Sequence, residues 1–172
     1  MIPAPFRTAP MPVRQEWIDY NGHLNLAYYL VLFDTATDAL WDRIGLGPEL
    51  RGTGLTTFAA ESHILYRAEL VPGDEVVVEA QIMALDGKRL HVAHEMRRVS
   101  DDAVAALQEL MFLCVDLGTR RVAPWPEDVF AGLERAAAAH AGLSRPDWVG
   151  RRVAMPSRAS PAPIASTAPD RA

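Results

Sequence analysis

The chain has 172 residues, of which 49% are hydrophobic and 23% are charged, and this composition is typical of one globular domain. Its formal net charge of −5 gives no electrostatic reason to expect a nucleic-acid partner, and its single cysteine, Cys114, excludes an intrachain disulfide and a multi-cysteine metal site. Since no apolar run reaches the roughly 20 residues that cross a bilayer, we expect no membrane partner and a cytoplasmic protein.

The first long predicted element is a helix over about residues 25–44. Its early turns, residues 26–33, are apolar nearly all round, which predicts that they are buried. Its later turns carry aspartates four residues apart, and this spacing predicts a solvated stripe of Asp34, Asp38 and Asp42. A glycine at position 45 is expected to end the helix.

Four strands are predicted after this helix, at residues 56–66, 75–85, 88–98 and 103–115. The dipeptide Asp86-Gly87 is a strong signal for a tight hairpin turn between the second and the third of them. The last run is rich in alanine and leucine and would also suit a helix, but the preceding strands and the close spacing of turns favour a strand. These elements predict an α+β fold in which a curved antiparallel sheet wraps one long central helix.

The C-terminal part of the chain gives weaker signals. Residues 126–141 are predicted to form a helix because they contain a run of alanines, the strongest helix former. Beyond about Val153 the composition shifts to alanine, serine and proline without periodicity, which predicts disorder. We therefore expect a folded domain over residues 1–152 and a disordered tail over residues 153–172.

The stretch that leads into the first helix holds a dense group of polar side chains. Asp19, Asn21, His23 and Asn25 fall at alternate positions, and Gly22 allows a positive φ or a close backbone approach. A helix N-terminus has unpaired N–H groups and partial positive charge, so it can polarise a carbonyl group placed against it. The stretch therefore predicts carboxylate-driven attack on a carbonyl, with Asp19 as general base or as nucleophile.

Other chemistries find less support in the sequence. A calcium loop that began at Asp19 would need a glutamate at its twelfth position, which is Leu30 here. The chain has no Gly-x-Ser-x-Gly elbow and no glycine-rich motif for phosphate or dinucleotide binding. The histidines are scattered rather than at zinc-ligand spacing: they are His23, His63, His91, His94 and His140. We therefore expect neither a metal nor a cofactor.

The motif Asp19-Tyr20-Asn21-Gly22-His23-Leu24-Asn25 resembles the Asp-x-Asn-x-His-x-Asn and Asp-x-x-Gly-His-x-Asn signatures of hotdog-fold thioesterases of the 4-hydroxybenzoyl-CoA thioesterase-like group. The resemblance covers roughly residues 13–124. It implies a hotdog fold, hydrolysis of an acyl-CoA thioester, and a homodimer or a dimer of dimers in which two sheets join edge to edge. Further segments resemble the betainyl-CoA thioesterases of carnitine breakdown: Trp17–His23, Glu61–His63, Glu69–Asp74 and Asp86–His91.

Two alternative functions belong to the same fold. Hotdog hydratases separate the Asp and the His of their motif by four residues, whereas three residues lie between Asp19 and His23. A non-catalytic acyl-CoA-binding protein is the other alternative, and the intact motif disfavours it. Hydrolysis of an acyl-CoA thioester is therefore the function that we expect.

The resemblance assigns a role to each position of the motif. Asp19 matches the carboxylate that activates water or attacks the thioester carbon. Backbone N–H groups from Gly22 to Asn25 match the groups that stabilise the oxyanion. His23 and Asn25 match positions that hold the loop and the substrate carbonyl, although Asn25 is equally suited to be the N-cap of the helix and His23 to be a packing residue. Asn21 is a further catalytic candidate within the motif.

Four further residues are candidate substrate contacts. Strict alternation places Ala59, Glu61 and His63 on one strand face, where Glu61 and His63 would orient water or bind a polar acyl group, or form a structural pair. Lys88 and Arg89 follow the hairpin turn and are candidates to meet the phosphates of coenzyme A, although charged residues are common at such exposed turns.

Aromatic residues are candidates to hold the acyl group. A betainyl group carries a quaternary ammonium, which aromatic faces bind well. Trp17 and Tyr20 flank the motif and are the first candidates, and three other aromatic residues are available: Trp41, Phe58 and Tyr66. An aromatic excess here is equally expected from a buried helix and sheet.

Overall fold

The computed structural model describes residues 3–155 of the chain. One 3₁₀ turn spans Gln15–Trp17. The helices are α1 (Leu26–Ile44), α2 (Pro48–Gly52) and α3 (Glu127–His140). The strands are β1 (Phe6–Arg7), β2 (Met11–Pro12), β3 (Leu55–Tyr66), β4 (Glu75–Leu85), β5 (Arg89–Arg98), β6 (Val104–Asp116) and β7 (Arg121–Val122).

The strands form one antiparallel sheet with the order β1-β4-β5-β6-β3, while β2 pairs with β4 and β7 pairs with β6. The helix α1 lies across one face of this sheet. Its Leu40 and Trp41 pack with Leu110 and Phe112 of β6, and its Phe33 belongs to a second buried cluster. The predicted α+β plan, a long helix wrapped by an antiparallel sheet, is confirmed. It is the hotdog fold.

The ends of α1 follow the predicted signals. Asn25 is the N-cap, and its side chain accepts a hydrogen bond from Ala27 N at 3.0 Å. Gly45 is the C-cap in the left-handed region at φ 74°, where a side chain would be strained. The stripe of Asp34, Asp38 and Asp42 is exposed, as predicted.

The first turns of α1 differ from the prediction that they are buried all round. Leu26, Leu30 and Val31 are 65%, 46% and 43% exposed. No part of residues 3–155 covers these side chains. The prediction was wrong because an all-apolar segment shows that a surface is to be covered, but not whether its own chain covers it.

A β-bulge changes the alternation of β3. Ala59 lies opposite Phe112 of β6, but Glu61 lies opposite Met111, so Ala60 is an extra residue. Ala59 is therefore on the α1 side with Phe112, whereas Glu61 is on the other side with Met111. The predicted shared face of Glu61 and His63 is confirmed, and the placement of Ala59 with them was wrong because strict alternation ignores a bulge.

The sheet face away from α1, which we call the outer face, is partly covered by the chain after α3. Residues 141–155, which we call the C-terminal segment, place Trp148 and Val149 against Ala93 and Leu107 of the outer face. The predicted C-terminal helix is confirmed as α3. The tail predicted to be disordered lies mostly outside the described residues. Within residues 3–155, no helix combines the length and apolar character that crossing a membrane requires.

Candidate active site

The polar stretch before α1 forms a tight loop that is closed by its own backbone. Asp19 N donates to His23 O at 3.0 Å, and Asn25 N donates to Trp17 O at 3.0 Å. Gly22 N donates to Asp19 O at 3.0 Å, which turns the chain back on itself. Gly22 has φ 86°, a conformation that side-chain-bearing residues rarely adopt, so the turn requires glycine here.

The loop is attached to the segment that follows β3. Leu24 is buried, and its N–H donates to Leu70 O at 2.7 Å. One turn into α1, the Tyr29 hydroxyl donates to Ala68 O at 3.0 Å, and burial raises the pKa of Tyr29 to about 12, so that it stays a donor. These bonds fix the position of the loop relative to the N-terminus of α1.

Asp19 has one carboxylate oxygen held and the other available. Asn21 N donates to Asp19 Oδ1 at 2.8 Å, which orients the carboxylate. Oδ2 has no hydrogen-bond partner among residues 3–155, and the side chain is half-buried. A carboxylate in this state can accept a proton from water or attack an electrophilic carbon.

Fewer N–H groups of the loop are free than the sequence predicts. Gly22, Leu24 and Asn25 donate to backbone carbonyls within the protein, so their N–H groups are occupied. In the described chain, the N–H of His23 has no acceptor. Leu26 is the first residue of α1, where an N–H has no intrahelical acceptor. Two N–H groups therefore remain as candidates to bind an oxyanion.

The other motif side chains have distinct surroundings. The Asn25 side chain caps α1, so the capping alternative is confirmed for its oxygen. His23 Nε2 lies 3.6 Å from Glu69 Oε1, and the two side chains are 29% and 56% exposed. Asn21 is exposed and contributes to the loop through its backbone N–H. The structure thus brings Asp19, His23 and Glu69 to one end of α1.

The chain matches the family model described as the thioesterase-like superfamily over residues 13–133. It is 41% identical to a betainyl-CoA thioesterase of Pseudomonas aeruginosa over 150 residues, which are 87% of this chain and 94% of the relative. It is 36% identical to an L-carnitine dehydrogenase/betainyl-CoA thioesterase of Ruegeria pomeroyi, and this match covers 89% of this chain and 31% of that longer protein.

A hypothetical protein of Staphylococcus aureus, solved in complex with CoA, has a similar structure with a TM-score of 0.82 and 28% identity. The match covers 91% of this chain and 98% of the solved chain. The protein belongs to the thioesterase-like superfamily. The loop before α1 carries the motif found in the sequence, and the region that matches the family model contains the whole motif.

The aromatic residues proposed to hold an acyl group do not form a cage in this thioesterase chain. Trp17 stacks on Tyr28 with ring centroids 5.4 Å apart, and the Arg14 guanidinium lies 4.9 Å from its ring centre, so the faces of Trp17 are in use. Trp41 is buried against Phe112. Of the remaining aromatic residues, Tyr20 is 97% exposed at the loop.

Phe58 and Tyr66 lie in different places on β3. Phe58 is opposite Leu113 on the outer face, with Arg120 over its ring at 5.2 Å. Tyr66 is next to the loop, since its hydroxyl donates to Leu26 O at 3.3 Å. Tyr20, which is 97% exposed, and Tyr66, which is 38% exposed, are therefore the aromatic candidates near Asp19.

The structure does not bring the four other predicted contacts to Asp19 within one chain. Glu61 and His63 are on the outer face, opposite to α1. Arg89 begins β5 directly after Lys88, and the other end of this strand, Arg98, is bonded to Glu69 O near the loop. At 3.3 Å per residue the length of β5 places them about 30 Å away.

One neighbour of the loop had no predicted role. Glu69 is far from Asp19 in sequence, and the hydrogen bond from Leu24 N to Leu70 O holds its segment beside His23. The only sequence signal was its place in a segment that resembles betainyl-CoA thioesterases. No group of three or more potential metal ligands occurs within residues 3–155.

Proposed function

We propose that this thioesterase hydrolyses the thioester of an acyl-CoA and that betainyl-CoA is its substrate. The observation that carries the proposal is the state of Asp19, with one oxygen fixed by Asn21 N and the other free beside the N-terminus of α1. The 41% identity to a betainyl-CoA thioesterase over nearly its whole length supports the choice of substrate.

The chemistry follows from the free oxygen. Asp19 Oδ2 either takes a proton from a water that attacks the thioester carbon, or attacks that carbon itself to form an anhydride, which water then opens. In both routes the C–S bond breaks and the thiolate takes a proton from solvent. The negative charge on the carbonyl oxygen is stabilised by the N–H groups of His23 and Leu26 and by the positive end of α1.

A cationic acyl group fits the charges around the loop. The Glu69 carboxylate is 56% exposed beside His23 and provides a negative charge near the reacting carbon. Tyr20 and Tyr66 provide aromatic faces, which attract a quaternary ammonium. We therefore assign the acyl group to the side of the loop formed by these three residues.

The working unit that we propose is a homodimer formed through β3. This strand is at the end of the sheet, and a long unpaired edge is normally covered or paired. Beside it lies the apolar stripe of Leu26, Leu30 and Val31, which a second copy would cover. In such a dimer, both the β3 edge and the apolar stripe are covered.

This dimer would also complete the coenzyme A site. In an antiparallel pair, the Leu55 end of one β3 lies beside the Tyr66 end of the other. Arg89 pairs with Leu113 of β6, which in turn lies opposite Phe58 near the start of β3. Lys88 and Arg89 of a second copy would thus approach the Asp19 loop, where they can bind the phosphates of coenzyme A. They border an open pocket of about 530 Å³.

The proposal is tested by the release of free thiol from a panel of acyl-CoA esters. We expect cleavage of betainyl-CoA with a higher kcat/KM than neutral esters of similar size, such as butyryl-CoA. A preference for neutral aliphatic esters would contradict the choice of substrate. If no ester is cleaved while coenzyme A binds tightly, the protein is an acyl-CoA-binding protein instead.

The two routes of hydrolysis are separated by a single turnover in water enriched in heavy oxygen. Label in the Asp19 side chain would show that an anhydride was opened at the protein carboxyl group. Label found only in the released acid would favour direct attack by water.

A further inference from the structure

A second pocket lies on the outer face, on the other side of the sheet from Asp19. It has a volume of about 280 Å³. Three strands and the C-terminal segment contribute its walls, which include Glu61, His63, His91, Glu109, Arg151 and Arg152. None of these residues contributes to the Asp19 loop.

The floor of the pocket is a fully bonded carboxylate. His91 Nε2 donates to Glu109 Oε1 at 2.7 Å, and Gly150 N donates to Glu109 Oε2 at 2.6 Å. The His91 and Glu109 side chains are only 15% and 17% exposed. Each oxygen of Glu109 therefore already accepts a hydrogen bond from within the protein.

The bond from Gly150 also fixes the position of the two arginines. Trp148 and Val149 are buried against the outer face, and Gly150 has φ 87°, which turns the chain toward Glu109. Arg151 and Arg152 follow directly. The backbone that carries them is thus attached at the pocket by an apolar contact and by a hydrogen bond to a charged group, which is a stronger attachment than that of an arginine on a free loop.

The unpaired donors at the pocket favour an anion. Arg151 and Arg152 are exposed and have no ion-pair partner within 4.0 Å in the part of the chain that the structure describes. The free carboxylate of the pocket is that of Glu61. The lining thus holds two arginines, the bonded carboxylate of Glu109 and the unbonded one of Glu61, and His63 adds a further polar group from β3, opposite Glu109.

We propose that this pocket binds a phosphate group. The two arginines belong to one wall and carry several N–H donors, and the His63 imidazole can donate from another. Donors that converge from two walls fit a tetrahedral phosphate better than a planar carboxylate, which has only two oxygens. The phosphate is either the free ion or the monoester of a nucleotide, such as the 3′-phosphate of coenzyme A.

The test is calorimetric titration of the full chain with inorganic phosphate at constant ionic strength. We expect saturable binding of one phosphate per chain. The double variant Arg151→Gln/Arg152→Gln should weaken it at least about tenfold, because both charge-assisted contacts are lost. The control variant Arg51→Gln removes an exposed positive charge on α2, away from the pocket, and should change the affinity less than about twofold.

Two results would overturn the proposal. One is the absence of saturable phosphate binding by the wild-type protein. The other is an equal loss of affinity in Arg51→Gln and in the double variant, because this would show that phosphate responds only to overall charge. Circular dichroism of each variant shows that the fold is retained, which is expected because all three arginines are exposed.

Competition identifies the source of the phosphate. If coenzyme A displaces inorganic phosphate and dephospho-coenzyme A does not, the pocket binds the 3′-phosphate. If AMP displaces phosphate and coenzyme A does not, the ligand is a smaller phosphomonoester. If none of them does so, the pocket binds the free ion. In Asp19→Asn the phosphate affinity should be unchanged, which separates this site from the site of hydrolysis.

Discussion

Asp19 and Glu109 are carboxylates on opposite sides of the sheet, and each accepts a hydrogen bond from a backbone N–H. The donors are Asn21 N at 2.8 Å and Gly150 N at 2.6 Å. The second oxygen of Glu109 is bonded to His91, whereas the second oxygen of Asp19 has no partner in residues 3–155. Both carboxylates are thus oriented by a backbone hydrogen bond, and only Asp19 has a free oxygen that can react.

The largest expected effect comes from removing the charge of Asp19. In Asp19→Asn the side-chain oxygen can still accept the bond from Asn21 N, so the loop should keep its structure. The variant has no basic oxygen, however, and kcat should fall by about 100-fold or more. Thiol release measures kcat, and circular dichroism shows whether the fold is retained. A near-normal rate would show that another carboxylate reacts.

A mixing experiment tests whether the site of Asp19 needs a second copy. Asp19→Asn is mixed with the double variant Lys88→Gln/Arg89→Gln, and the dimers are allowed to exchange. After random exchange half of the dimers are mixed, and one of their two sites is intact, so about a quarter of the wild-type sites should return. Assays at low substrate concentration measure the recovered activity. No recovery, or a fully active monomer in sedimentation, would contradict a shared site.

The two regions also differ in how well the sequence predicts them. The Asp19 loop is closed by bonds between residues close in sequence, such as Asn25 N to Trp17 O, so a short motif contains nearly all of its structure. The limits of α1 are equally local, because Asn25 and Gly45 cap it. These features were therefore predictable from residue type and spacing.

The outer face is different because distant segments form it. The bulge at Ala60 depends on pairing with β6, and the bond from Gly150 to Glu109 depends on a segment that crosses the sheet after α3. No local signal specifies either feature. The exposure of Leu26 and the distance of Arg89 from Asp19 are likewise properties of the assembled sheet. Sequence patterns predicted which residues are polar but not which of them meet.

A buried histidine, His94, affects how stability depends on pH but takes no part in the proposed hydrolysis. Burial lowers the pKa of His94 from 6.5 to about 4, against a smaller opposing effect of its bond to Gln108. The unfolded chain takes up this proton near pH 6.5, but the folded protein does not, so stability is lost as the pH falls from 6.5 toward 4. Between pH 7.5 and pH 5 the loss from His94 should be about 2 kcal/mol.

Denaturant unfolding at several pH values measures this loss. The fall in the free energy of unfolding should be about 2 kcal/mol smaller in His94→Gln than in the wild type over the same pH range. Burial also lowers the pKa of His140, which adds a loss in the same direction to both proteins. The test therefore compares how the free energy of unfolding changes with pH in the two proteins. Equal changes would show that His94 does not resist protonation.

The smallest expected effect is that of Glu109→Gln. A glutamine has one oxygen in place of two, so either His91 or Gly150 loses its acceptor, and the free energy of unfolding should fall by about 1 to 2 kcal/mol. The kcat for acyl-CoA hydrolysis should stay far above that of Asp19→Asn. Chemical denaturation measures the free energy of unfolding, and thiol release measures kcat. An equal collapse of kcat in both variants would remove the distinction between the two carboxylates.

The most direct measurement is the fate of one equivalent of betainyl-CoA bound to Asp19→Asn. Native mass spectrometry of the complex reports both binding and cleavage at the time when the wild-type protein has completed one turnover. The account predicts that the variant still binds the ester and holds it intact, because only the reacting oxygen has been removed. Free coenzyme A and betaine formed at close to the wild-type rate would contradict it.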